Sequence, residues 1–202
     1  MIRLRRPSER EIEAILAATD APLSYPEVGA TERIDSPDVR DTLAARYDVD
    51  RHEVVLGTGR ELYTRASAAL ADWRHFGVPW LELHRTGPVA PGQVVATVAR
   101  IAGSWFVNPC RVVYADFSSE RDSVAYAYGT LRGHAESGEE RFRVSIDPAT
   151  SEVRYEISAF SRPALLLSRL GYPLARRVQK SFARSSAAAL IEACDGVRNL
   201  AR

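Results

Sequence analysis

The sequence predicts an α+β domain in which a seven-stranded curved antiparallel sheet wraps a long C-terminal helix. Two observations lead there. From Gln93 to Phe160 the apolar residues alternate with period two, in runs separated by short, turn-rich breaks, which is the pattern of antiparallel hairpins. After Pro163 the period becomes helical, through Leu166, Leu170, Leu174, Val178, Phe182 and Leu190, with Ser186 at the missing step.

The elements follow in order. Ser8 is placed as the N-cap of a helix over Glu9 to Ala18, with Glu11 three residues on as its capping-box partner. Residues 20 to 50 are irregular, punctuated by Pro22, Pro26, Gly29 and Pro37, with a short helix over Asp38 to Ala45. Residues 1–50 thus form an N-terminal helix and arm packed on a core domain over 51–195, and 196–202 is a tail. The core opens with a strand over Glu53 to Gly57. A helix over Gly59 to Trp73 follows, with Leu62, Ala66, Ala69, Leu70 and Trp73 at spacings of three and four, then a strand over Trp80 to His84. Five more strands cover Gln93 to Ile101, Asn108 to Phe117, Ser123 to Arg132, Glu139 to Ile146 and Glu152 to Phe160. The last helix spans Pro163 to Ala193, kinked or split by Gly171-Tyr172-Pro173 near its start.

Composition narrows the function classes. A formal net charge of +1 supplies no long-range field to draw nucleic acid. Two cysteines, Cys110 and Cys194, are too few and too far apart for a disulfide framework or a metal site, and read as reduced thiols. No apolar run approaches the roughly 20 residues of a membrane span, and no apolar signal core follows the basic start, so stable membrane insertion is not expected and a cytoplasmic location is. Gly57-Thr58-Gly59 lacks the rest of a dinucleotide fingerprint. The four histidines show no ligand spacing, and there is no nucleophile elbow. No cofactor is expected.

Several local runs, taken as a set, carry a resemblance. They are Leu23-Ser24-Tyr25-Pro26-Glu27-Val28-Gly29-Ala30-Thr31, Leu56-Gly57-Thr58-Gly59 and Asn108-Pro109-Cys110-Arg111-Val112-Val113-Tyr114, then Tyr128-Gly129-Thr130-Leu131-Arg132-Gly133-His134, Gly138-Glu139-Glu140-Arg141-Phe142 and Phe160-Ser161-Arg162-Pro163. Together they resemble the domain of unknown function 1990 family (uncharacterised protein family 0548), from about residue 20 to 190. The family implies no activity. The element order resembles the helix-grip arrangement of START-like and polyketide-cyclase-like proteins, which implies an apolar cavity between sheet and last helix.

Strand parity selects the candidate site. In Glu139 to Ile146, the apolar set Phe142, Val144 and Ile146 faces the core, and Glu140 shares that face, opposite Arg141, Arg143 and Ser145. In Asn108 to Phe117, Arg111 shares a face with Val113, Ala115 and Phe117, and Trp105 has the same parity if no bulge intervenes. An inward Arg111 and an inward Glu140 must pair or meet a charged ligand, because burying either alone costs several kcal/mol. The pair is either a structural salt bridge or the polar anchor of an apolar pocket. Tyr126 and Tyr128 share a face, inward or outward. His134, in the Gly133 to Gly138 turn, is either a surface histidine or the general acid/base nearest the cluster. Tyr25 and Glu27, in the arm, either close one end of the cavity or belong to a strap over exposed sheet.

Three functions fit. The first is binding of a small amphipathic or hydrophobic molecule, with Arg111, Glu140, Tyr126, Tyr128, His134, Trp105 and Tyr25 as candidate ligand contacts. The second is an acid/base enzyme of cyclase, hydratase or isomerase type using His134 or Glu140. The third is an interaction module with a filled interior and no ligand. Oligomeric state is not legible.

Overall fold

The computed structural model describes residues 1–118, 120–164 and 172–200, and in the last segment the side chains of 176–195. Seven antiparallel strands follow one path. They are β2 (Asp48–Thr58), β8 (Glu152–Pro163), β7 (Glu136–Ile146), β6 (Ser123–Thr130), β5 (Ser104–Asp116), β4 (Val94–Ile101) and β3 (Leu81–His84), paired in that order. A two-residue strand, β1 (Ile2–Arg3), pairs with the start of β5 at Trp105 and Phe106, beyond the last partner of β6. The curved antiparallel sheet with a C-terminal helix is the predicted fold.

The concave face carries the main core. Val112, Tyr126, Phe142 and Tyr155 meet Tyr63, Ala66 and Leu70 of α3 (Arg60–Ala71) and Ala187, Leu190 and Cys194 of α4 (Tyr172–Leu200). Helix α3 stops where Trp73 turns into the left-handed region, at φ 61°. That turn drops His75 and Phe76 into the core among Tyr126, Phe142 and Tyr155. Ser186 takes the missing helical step for a reason: its hydroxyl hydrogen-bonds the buried Tyr155 hydroxyl at 2.8 Å.

The last strand ends later than expected, and Pro163 belongs to it and not to the C-terminal helix. Strand β8 continues through Pro163, because Glu136 to Gly138 extend β7 and supply partners for Ser161, Arg162 and Pro163. Helix α4 begins at Tyr172, so Pro173 falls in its first turn, where no backbone N–H is needed. The predicted helical turns through Leu166 and Leu170, and Gly171 of the predicted kink, lie outside the described residues.

The convex face is covered by residues 1–47. Helix α1 (Glu9–Leu16), with the capping box of Ser8 and Glu11 formed, lays Ile12 on Val98 and Val107. The irregular segment, which includes α2 (Pro37–Ala44), packs Tyr25, Ile34, Leu43 and Tyr47 around Phe160. Arg111, Gly129, Glu139 and Phe160 are successive cross-strand neighbours on this face. Glu139 is 2% exposed. Its carboxylate accepts from the Tyr25 hydroxyl (2.6 Å), the Gly29 N–H (2.8 Å), the Thr31 N–H (3.0 Å) and the Thr31 hydroxyl. Beside it, buried Arg141 donates to Glu156 (2.6 Å), to Asp35 of the arm (2.9 Å) and to the Thr31 carbonyl (3.0 Å), while Arg143 bridges the same two carboxylates.

Gly129 makes this contact possible. A Cβ there would stand 2.0 Å from the Tyr25 hydroxyl oxygen, so only glycine lets the phenol cross β6 to reach β7. Burial, with the charge of Glu139 adding to it, holds the Tyr25 hydroxyl well above the usual phenol range, and it remains a donor at any working pH. Tyr25→Phe is expected to lower stability by about 1–3 kcal/mol, since a buried carboxylate loses one donor. Gly129→Ala should cost at least as much, and the double variant should be less than additive because both disrupt one contact. Urea denaturation of the three variants checks this; wild-type stability in Gly129→Ala would remove the argument.

Candidate functional site

Between the concave face and α4 lies a cavity of about 340 Å³, open to solvent on one side. Its walls are mostly apolar, with Phe76, Leu81, Ile101 and Phe106 on one side and Val178 and Phe182 of α4 on the other. Space is left because Thr97, Ala99 and Ala159, all small, occupy strand positions facing the helix. The volume lies in the range of small-molecule sites, which pair apolar walls with a few placed polar groups.

Those polar groups centre on one cross-strand pair, Tyr128 of β6 and Glu140 of β7. The Tyr128 hydroxyl donates to Glu140 Oε2 at 2.6 Å. Burial raises the Glu140 carboxyl to about 7, against the lowering effect of that hydrogen bond, and the charge of Asp50 pushes the same way as burial. Glu140 therefore changes charge near neutral pH. Tyr128, raised well above the usual phenol range by burial and by the Glu140 charge, does not.

His134 also lines the cavity. The Glu136 N–H points at its Nδ1 from 2.9 Å, which opposes a proton there. Burial lowers the ring to about 3, so it stays neutral at physiological pH. The expected general acid/base role thus suits Glu140 better than His134. Nearby, Glu136 accepts from the Ser161 hydroxyl at 2.9 Å, and burial raises its carboxyl.

The remaining candidates lie elsewhere. Arg111 is on the convex face, where its guanidinium donates to the Thr19 and Ala21 carbonyls at 2.8 and 2.9 Å. The expected Arg111–Glu140 pair is not formed. A bulge between Val112 and Tyr114 inserts one residue and reverses parity, so Ala115 faces the core while Arg111 does not. Trp105, of the same parity as Arg111 here, packs beside Val98 and Val107 under α1, with Arg6 over its ring at 5.9 Å. Tyr25 binds Glu139 on the convex face, and Glu27 accepts from Tyr47 and Arg46 there, so the arm does not close the cavity. Tyr126 faces inward but is fully buried behind the cavity, its hydroxyl 2.7 Å from His75 Nε2.

Sequence reasoning passed over Thr97, Asn108, Thr130 and Glu136 in the lining. Their signal was present: Thr97 and Asn108 are partners that alternate with convex-facing Val98 and Val107. Small polar residues at core-facing positions are what a lined cavity requires.

The model of the family described as a domain of unknown function (DUF1990) matches residues 24–189. The chain belongs to this family. A UPF0548 protein of Dictyostelium discoideum is 31% identical over 213 aligned positions, covering 99% of both chains. Another, from Arabidopsis thaliana, is 38% identical over 148 positions, covering 71% of this chain and 72% of the relative. Among solved structures, a hypothetical protein of Helicobacter pylori is similar with a TM-score of 0.51 at 11% identity, covering 86% of this chain and 94% of that one. This last likeness concerns the fold alone. Among the described residues no helix of this DUF1990 domain is long and apolar enough to cross a membrane.

The Glu140 environment gives a pH signature. Its folded value, about 7, lies above the ordinary 4.5, so the unfolded chain loses this proton first as pH rises. Stability is therefore lost between those two values and stays lower above them. The part due to this half-buried group is expected to be about 2 kcal/mol between pH 5 and pH 8. Glu140→Gln should flatten that part of the profile and be the more stable protein at pH 8. Parallel urea-stability profiles for the two proteins would contradict this environment.

Proposed function

We propose that this domain binds a small, largely apolar molecule in the cavity between the concave sheet face and α4, with Tyr128 and Glu140 as its polar anchor. The observation that carries the reading is the combination of an open, mostly apolar-walled cavity of about 340 Å³ with the hydrogen-bonded Tyr128–Glu140 pair in its lining. A packed interaction module, by contrast, would have a filled interior. Family membership adds no ligand, and fold likeness supplies none.

Ala159 tests the reading, because it lines the cavity as the cross-strand neighbour of Glu140. Ala159→Phe is expected to abolish uptake of an apolar fluorescent probe and of any compound retained in native mass spectrometry. Its stability should change by about 1–3 kcal/mol at most, as the ring enters open space. Undiminished uptake in Ala159→Phe would overturn the proposal.

One observation favours a second reading, acid/base catalysis in the same cavity. Glu140 has both protonation states available near neutral pH, and Tyr128 holds a hydroxyl proton beside it. Turnover of a bound compound by the wild type, with binding but no turnover in Glu140→Gln, would decide for this reading.

A further inference from the structure

We infer that the cavity's ligand carries a basic nitrogen on an apolar body, and that its cationic end pairs with Glu140; this rests on the cavity reading above. The charges around the cavity are one-sided. Glu136, Glu139 and Glu140 are among its lining residues, and none of its described lining residues is lysine or arginine. The third glutamate of the strand, Glu139, has its carboxylate satisfied by the arm on the other face. Glu136 and Glu140 each accept from one hydroxyl, Ser161 and Tyr128, but Glu136 also feels the charge of Arg176, whereas no described cation acts on Glu140.

The groups facing Glu140 do not neutralise it. Cys110 of β5, Tyr126 and Tyr128 of β6 and Tyr155 of β8 are all raised by burial and uncharged. His134 is neutral, and Asp50 of β2 repels a second negative charge. On α4, one turn from the lining residues, Arg176 grips the Asp50 carboxylate with both terminal nitrogens. Among the described residues, an ionised Glu140 has spare acceptor positions and no counter-charge. A fatty acid or other anion would add like charge to two carboxylates in a poorly hydrated space. A neutral alcohol would supply one hydrogen bond but no charge. A protonated amine supplies both, and such charge-assisted hydrogen bonds are roughly twice as strong as neutral ones.

The test compares three probes of equal chain length, octylamine, octanol and octanoate, by amide NMR titration of the intact protein. At pH 8 the amine should bind roughly 10- to 100-fold tighter than octanoate, the difference expected for a charge-assisted partner. Its shifts should centre on cavity residues and vanish in Ala159→Phe. Below pH 7 the amine must displace a proton from Glu140, so its affinity should fall by up to about tenfold per pH unit. Glu140→Gln should erase the preference for amine over octanoate while octanol binding persists. Octanol or octanoate binding as tightly as the amine to the wild type would overturn the inference and leave the cavity reading standing. So would an amine preference unchanged in Glu140→Gln. No cavity shifts with any of the three probes would overturn both.

Discussion

A carboxylate cannot be buried under a protein segment unless that segment brings donors to it, and Glu139 is buried. The arm supplies four: two backbone N–H groups, a threonine hydroxyl and a tyrosine hydroxyl. Gly29 takes a left-handed φ of 79° as the cap of the turn over Ala30–Arg33, and its N–H and that of Thr31 converge on the carboxylate while the Ala30 N–H turns to the Glu27 carbonyl. This holds residues 24–35 against the sheet at one point. The apolar cluster around Phe160 and the Arg141–Glu156–Asp35 network fix it on either side. A long irregular segment is thereby ordered without regular structure of its own.

The same strand places the next residue under the opposite constraint. Consecutive residues of a strand point to opposite faces, so Glu139 and Glu140 share a backbone but not an environment. Glu139 meets a complete donor set from the arm. Glu140 meets one phenol and an apolar cavity, and its carboxyl rises to about 7. Fixing β7 from the convex side holds the Glu140 backbone while the concave side stays open. The covered face thus supplies the rigidity that the proposed anchor on the other face would need.

Sequence patterns made much of this legible, and the misses have physical causes. Period-two alternation placed the strands and oriented Phe142, Val144 and Glu140 correctly, because β7 is regular from Glu136 to Ile146. The same rule failed for Arg111, since the extra residue at Val113 leaves no mark in the hydrophobic pattern. Tyr25 and Glu27 stood out as an unusual run, yet their partner could not be read, because the contact spans more than a hundred positions and depends on a missing side chain at Gly129. The end of the last strand was placed three residues early because Ser161, Arg162 and Pro163 pair with β7 through the backbone, which side-chain periodicity does not report.

The cavity itself follows from an uneven filling of the concave face. Near α3, large rings close the interior: Trp73, Phe76, Tyr126, Phe142 and Tyr155 contact one another or His75. Toward the β6–β7 turn, Ala99, Ala159 and Thr97 leave the space beneath Val178 and Phe182 unfilled. As a sealed void, about 340 Å³ would cost about 8 kcal/mol at roughly 24 cal/mol per Å³, comparable to the whole stability of a domain. An opening to solvent lets water relieve that cost, but water against apolar walls finds few partners beyond Tyr128, Glu140 and their neighbours. On the proposed reading, an apolar body with one polar end at Glu140 would displace such water favourably. The large rings and the arm, not the cavity walls, supply most of the packing.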